Sequence, residues 1–370
     1  MCLLNSYRWS SRKPKPRNNN TNIVPSKLKN SLRFLKAQFL AGVIIICGLF
    51  ILASMLSVEK SQAAPSGPPL KLTATPAQTE VLIGDWIVIT LTLTNMTAAN
   101  MDIIKPILDF DSVSFQIKTT PLSNTSKSFV YSVITPSVYD HNRAKMARIS
   151  LAAGAESKTT FNIPAVVLGL WEIKAAYKGA QNQVSSEALN IKVIPPKSDK
   201  AKDGELIAKI ETSKGTMKCR FFFNDAPNTV MNFARLSKEG YYNKNIFHRI
   251  MKGFMVQSGC PKGDGRGWPG YSIKAEFNNH KHLKGTLSMA HGEPKDSAGS
   301  QFFICLDPQT TLDNKYAAFG ELISGMDVLT AIGNIRTVAN PNMNGELSKP
   351  TEKVTIRTIS FEFKEIPTKK

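Results

Sequence analysis

The chain has 370 residues, 42% of them hydrophobic and 20% charged, with a formal net charge of +19. That length suggests two or three domains, and that composition excludes a chain disordered throughout. The charge does not indicate a nucleic-acid binder. Arg8, Arg12, Lys13, Lys15, Arg17, Lys27, Lys29, Arg33 and Lys36 supply nine positive charges with no acid among them, directly before an apolar segment.

Residues 1–36 are polar and basic, with Pro14, Pro16 and an Asn18–Asn20 run. They cannot bury a core and are expected to form a disordered cytoplasmic tail. From Ala37 to Val58 there is no charge, and the centre reads FLAGVIIICGLFILASMLSV. About 20 such residues match the ~30 Å hydrocarbon core of a bilayer as a helix. Basic residues lie on one side only, which puts the N-terminus in the cytoplasm and the rest outside, on the periplasmic side if the source is bacterial. The favoured reading of 37–58 is a retained single-pass anchor. A signal peptide cut near Ser61-Gln62-Ala63, giving a secreted protein, is the alternative, although this apolar run exceeds the usual ~7–15 residues.

After a linker at 59–69 the pattern changes to period two. Ile87, Ile89, Leu91 and Leu93 alternate with Val88, Thr90, Thr92 and Thr94. Val113, Phe115 and Ile117 repeat the pattern, as do Phe129, Tyr131 and Val133. Trp171, Ile173, Ala175 and Tyr177 share a face, and Leu189, Ile191 and Val193 close the region. Around seven half-buried strands over 70–195 predict an antiparallel β-sandwich, similar in style to bacterial immunoglobulin-like modules. No residue there has the pattern of a catalytic group. A spacer is the simpler role, and a module that docks a partner or substrate is the alternative.

A linker at 196–204, stiffened by Pro195 and Pro196, leads to the last region, 205–364, followed by a short tail at 365–370. Leu206–Ile210 and Lys218–Phe223 read as strands. Ala226-Pro227-Asn228 opens a helix with proline in the first turn, Val230, Phe233 and Leu236 mark its apolar face, and Gly240 ends it. A second helix is expected over about Met326–Ile332, and a final strand over Val354–Phe363.

Phe247–Gln257 and Ser300–Ile304 carry one arginine, two glutamines and several bulky apolar residues, with no obvious nucleophile; they lie in the blocks FHRIMKGFMVQSGCPKGDG and SMAHGEPKDSAGSQFFI, which LDNKYAAFGELISGMDVL follows. Such a set suits chemistry that neither makes nor breaks a covalent bond. In this order the blocks resemble the cyclophilin family of peptidyl-prolyl cis/trans isomerases, from about Glu205 to about Glu362. The resemblance implies a closed β-barrel with two helices. The expected fold is therefore mainly β: a transmembrane helix, an immunoglobulin-like sandwich, then the barrel.

The chemistry explains the residue types. An X-Pro bond turns over in tens of seconds or longer, over a barrier of about 20 kcal/mol, because twisting it costs amide resonance. The twisted prolyl nitrogen regains a lone pair. A catalyst needs an apolar slot for the ring and a donor aimed at that nitrogen. Arg249, always charged and rigidly forked, suits the donor role. Gln257 lies two residues after Met255, so the two share a strand face, and it orients Arg249.

By the resemblance, Phe254, Met255, Phe303 and Leu312 form the slot, and Arg249, Gln257 and Phe254 are the catalytic set. Gln301, Ala290 and His291 contact the substrate strand, and Tyr316 sits at the rim. Thr311 stands where many members have a tryptophan that lines the rim and helps bind cyclosporin, so weaker cyclosporin binding with isomerase activity retained is expected. The implied partners are proline-containing segments of exported proteins, and no cofactor or metal is implied. The competing class is a tethered proline-binding scaffold with incidental turnover.

Other signals are weaker. Gly265 to Gly270 satisfies GxGxxG, but Pro269 interrupts it and a strand-like Tyr271-Ser272-Ile273 follows, so a structural loop is expected. His280 and His282 lack a third ligand and read as a surface pair. Cys2, Cys47, Cys219, Cys260 and Cys305 form no CxxC, which argues against a zinc site or redox dithiol. Cys219, Cys260 and Cys305 are expected as buried or free thiols unless geometry pairs two of them.

Overall fold

The computed structural model describes residues 68–106, 112–120, 148–179, 183–196 and 204–366, and the backbone alone at 129–133. The expected basic tail, the apolar segment at 37–58 and most of both linkers lie outside these residues. No described helix is long and apolar enough to cross a membrane.

Residues 70–194 contain β1 (Leu70–Pro76), β2 (Glu80–Leu82), β3 (Trp86–Asn95), β4 (Met101–Ile104), β5 (Val113–Thr120) and β6 (Phe129–Val133). They continue with β7 (Arg148–Leu151), β8 (Glu156–Pro164), β9 (Gly169–Lys178), β10 (Gln183–Ser185) and β11 (Leu189–Ile194). One sheet runs β1-β3-β8, a second β2-β11-β9-β5-β6 with β10 also on β9, and β4 pairs β7. The period-two pattern holds. Ile87, Ile89, Leu91 and Leu93 are buried, as are Trp171, Ile173, Ala175 and Tyr177 on β9.

The two sheets meet through these faces. Phe115 of β5 packs edge-on against Phe161 of β8, with ring centroids 5.4 Å apart. Two aromatic side chains carry polar atoms into this core, and both atoms are paired. The Tyr177 hydroxyl donates to the Ile104 carbonyl at 2.8 Å, and Trp171 Nε1 donates to the Val167 carbonyl at 2.9 Å. One pairing departs from the antiparallel expectation. β2 and β11 run parallel. They come from opposite ends of the region, so no tight hairpin constrains their direction.

Residues 204–365 contain β12 (Gly204–Thr212), β13 (Gly215–Phe221), α1 (Pro227–Lys238), β14 (Arg249–Met251), β15 (Met255–Ser258) and β16 (Thr286–Met289). Then come β17 (Phe302–Cys305), β18 (Ala318–Ser324), α2 (Met326–Gly333), β19 (Thr337–Asn340), β20 (Glu346–Pro350) and β21 (Ile356–Glu365). Eight strands form one sheet in the order β14-β15-β17-β16-β18-β13-β12-β21, and β19 pairs β20 separately. No strand pair joins the two ends of that path among the described residues. A single bridge, Ile246 to Thr355, links the segments that lead into its end strands.

The helices fall close to their expected limits, although α1 is capped unexpectedly. Ala226 offers no side-chain cap. Instead the Glu276 carboxylate accepts from the Asn228 and Thr229 backbone N–H groups at 3.0 and 2.8 Å. A carboxylate there satisfies orphan donors and complements the helix dipole. The buried face of α1 places Phe233 against Phe302 and Phe319, at 5.3 and 5.2 Å between centroids.

That contact orients β17. Because alternate strand residues face opposite ways, Phe302 and Ile304 enter the main core, while Phe303 and Cys305 face the other side. The same division puts Ile250 and Val256 in the core and Met255 outside it. A second, smaller apolar cluster forms on this outer face from Met255, Phe303 and Cys305, with Met251, Phe254, Ala290, Leu312 and Tyr316 packed against it.

Candidate active site

Strand register sets the site. Arg249 of β14 lies opposite Gln257 of β15, and Gln257 lies opposite Phe303 of β17. A donor, an amide and an aromatic ring therefore form one row across three strands. Met255, two residues before Gln257, sits beside that row.

The polar side chains form a chain of hydrogen bonds. Arg249 Nη1 donates to Gln257 Oε1 at 3.2 Å. Gln257 Nε2 donates to Gln301 Oε1 at 2.9 Å. Gln301 Nε2 donates to the Gly265 and Gly267 carbonyls, each at 2.9 Å. This is the use of the glycine-rich loop: its backbone anchors a side chain. Gly265 has φ +84, a left-handed conformation that favours glycine, and a Cβ there would press on the flexible end of Met343.

At the other end, Arg249 Nε and Nη2 donate to the two carboxylate oxygens of Glu346, both at 2.7 Å. The hydrogen bond from Arg249 holds the Glu346 carboxyl below its ordinary range. Arg249 and Glu346 are mostly buried, with 22% and 27% of their side chains exposed.

Arg249, Phe254, Met255, Gln257, Ala290, His291, Phe303, Leu312, Tyr316 and Met343 line an open cavity of about 170 Å³. A cavity of roughly 150 Å³ holds a six-membered ring, so a proline ring is the right size. Tyr316 meets Phe303 edge-on at 5.6 Å and lies 4.5 Å from the His291 ring. A second cavity of about 230 Å³ shares Gln257, Ala290 and His291 with the first, and Gln301, Trp268, Ser297 and four glycines extend it.

Nine of the eleven residues expected at the site thus line the first cavity, and Gln301 lines its neighbour. Thr311 does not line either. It is exposed in the one-turn helix Thr310–Leu312. Glu346, Met343 and Trp268 were not expected. Met343 and Glu346 lie in a segment with no motif, Trp268 sits inside the GxGxxG stretch that reads as a structural loop, and the pairing of Arg249 with a carboxylate 97 residues away has no local signal.

The expected surface pair of histidines needs correction. His280 pairs with Asp225 at 2.9 Å and is partly exposed, but His282 is 1% exposed. Its Nδ1 lies 3.1 Å from Asp313 Oδ1 and its Nε2 lies 3.0 Å from Ser288 Oγ. Serine, histidine and aspartate so linked suggest a nucleophile. Ser288 is fully buried, however, and gives no access to a substrate carbonyl. The His282 ring instead lies nearly parallel to Phe303, 6.1 Å away, and so backs the cavity floor. Burial pushes the His282 pKa down, and the His282 backbone N–H leads the causes that hold Asp313 at about 2. Cys219, Cys260 and Cys305 are buried free thiols.

Comparison with known proteins identifies the family. Residues 207–361 match the family model described as cyclophilin type peptidyl-prolyl cis-trans isomerase/CLD. A peptidyl-prolyl cis-trans isomerase of Synechococcus elongatus is 54% identical over 114 residues, which are 31% of this chain and 78% of that one. One from Helicobacter pylori is 44% identical over 146 residues, covering 37% of this chain and 89% of the relative. A cyclophilin-type isomerase of Cryptosporidium parvum, crystallised in the presence of the dipeptide Ala-Pro, is 32% identical, with a TM-score of 0.39 and coverage of 42% and 98%. The chain belongs to the cyclophilin-type peptidyl-prolyl cis-trans isomerase family, and residues 207–361 are its isomerase domain.

Proposed function

We propose that the chain accelerates X-Pro rotation in exported or envelope proteins, with Arg249 as the donor to the prolyl nitrogen. The proline ring enters the cavity between Phe254, Met255, Phe303 and Leu312. The preceding residues lie along Ala290, His291 and Gln301 toward the second cavity. As the amide twists, its nitrogen becomes an acceptor, and an Arg249 N–H is available to it. A charge-assisted hydrogen bond contributes about 1.5–3 kcal/mol, or roughly tenfold to a hundredfold in rate. Desolvation and the grip on the ring supply the rest.

The observation that carries this reading is one cavity of ring size with a single guanidinium at its wall. It is tested by exchange NMR on an Ala-Pro peptide, with wild type beside Phe303→Leu. Catalysed exchange that weakens in the variant supports the reading. Wild-type exchange at the uncatalysed rate contradicts it.

The setting rests on sequence alone: an apolar run at 37–58 behind a basic tail, consistent with an anchor that leaves the isomerase outside the cytoplasm. A reporter active only outside the cytoplasm, fused after Lys370, tests it. Silence from that reporter with signal from a cytoplasmic one would reverse the orientation.

A further inference from the structure

Arg249 has five N–H groups, and four of them are taken. Nε and one Nη2 N–H go to Glu346, the other Nη2 N–H faces the Met251 sulfur at 3.2 Å, and one Nη1 N–H goes to Gln257. The fifth, on Nη1, has no partner among the described residues. A bidentate carboxylate fixes the plane of a guanidinium as well as its place. Gln257 alone would leave it free to turn about its outer bonds.

Glu346 is carried by a specific device. β19 and β20 are joined through the one-turn helix Pro341–Met343, where the Asn340 side chain accepts from the Asn342 N–H at 3.1 Å. Asn340 Nδ2 reaches Ser348 Oγ across the pair at 3.3 Å. The turn closes through Asn344 and Gly345, both with positive φ. The hairpin thus delivers Glu346 to Arg249 and Met343 to the proline cavity together.

We propose that Glu346 is a positioning residue for the isomerase reaction, holding Arg249 so that the free Nη1 N–H is the one offered to the prolyl nitrogen. The hairpin 337–350 is then a working part of the active site. This rests on the reading of Arg249 as the donor. Two effects of Glu346 oppose each other. Its charge weakens the guanidinium as a donor, while its geometry aims it. A misplacement of about 1 Å can cost about a hundredfold in rate, whereas weakening one hydrogen bond costs less, so aim should outweigh charge.

The opposition gives a test with a sign. In the full-length chain, kcat is measured by exchange NMR on an Ala-Pro peptide, and Kd by titration of the same peptide. The variants are Glu346→Gln, Glu346→Asp and Arg249→Ala. The expected result for Glu346→Gln is a roughly tenfold fall in kcat with Kd changed less than twofold. Glu346→Asp, which keeps the carboxylate, should recover part of the loss. An unchanged or faster Glu346→Gln beside an Arg249→Ala slowed tenfold or more overturns the positioning role alone. Undiminished turnover in Arg249→Ala overturns the donor reading and this inference with it. Equal losses in Gln and Asp variants, with weakened binding in both, would mark Glu346 as merely structural and also overturn it.

Discussion

Arg249 and Gln257 face each other across the β14–β15 pairing, with Nη1 3.2 Å from Oε1. The contact is the middle of a line that begins at Glu346 and ends at the Gly265 and Gly267 carbonyls. Gln257 is 8% exposed, so its amide is shielded from water that would otherwise replace its partners. Gln257→Leu leaves the Gln301 carbonyl and one Arg249 N–H unpaired. An unmet buried group costs about 1–3 kcal/mol. The expected outcome is a roughly tenfold or greater fall in kcat/KM with some weakening of peptide binding, read by exchange NMR and titration.

Trp268 is 46% exposed at the wall of the second cavity. On the proposed substrate path, a large aromatic side chain there would offer an apolar surface to the residue that precedes X-Pro. Trp268→Ala is expected to raise KM severalfold for peptides with a bulky apolar residue at that point, and to leave kcat and glycine-containing peptides unchanged. A peptide panel with one varied position measures this.

Thr311 is exposed beside Leu312, which lines the proline cavity. By the family resemblance, a tryptophan at 311 would reach the rim. Thr311→Trp is expected to tighten cyclosporin binding by at least tenfold while leaving turnover of an Ala-Pro peptide within twofold. Isothermal titration and the exchange assay together check this. Equal cyclosporin affinity in both proteins would show that position 311 does not limit the drug.

His248 is 4% exposed, and burial pushes its pKa down to about 4. An unfolded histidine titrates near 6.5. Below that value the unfolded chain takes up a proton that the folded chain refuses until about pH 4. Stability is therefore flat above 6.5 and falls as the pH drops through that window. The loss from this one residue between pH 7 and 5 is about 2 kcal/mol. His282, also pushed down, contributes in the same direction. Urea unfolding of wild type and His248→Leu at both pH values isolates this contribution, and the variant should show the smaller acid loss.

Much of this site was legible because the residues that touch the cavity are close in sequence or share motif blocks. Arg249, Phe254, Met255 and Gln257 occupy nine consecutive positions, and β-strand alternation alone puts Met255 and Gln257 on one face. The Phe302-Phe303 pair shows the limit. By periodicity alone both rings look like core; the resemblance singles out Phe303, and the packing of Phe233 on Phe302 gives the physical reason that Phe303 is the one facing the cavity. Glu346 and Glu276 were not legible, since a lone acidic residue at the start of a short polar strand or in a loop has no periodicity to mark its partner. For the same reason the strand faces at 70–194 could be read, but not the parallel pairing of β2 with β11.

The most direct measurement is the exchange rate of an Ala-Pro peptide catalysed by the full-length chain, wild type beside Arg249→Ala, with peptide affinity measured on the same samples. Loss of the Arg249 hydrogen bond should lower kcat/KM by roughly tenfold to a hundredfold, with Kd changed less than threefold. Undiminished turnover in the variant would show that the prolyl nitrogen takes its hydrogen bond from another group.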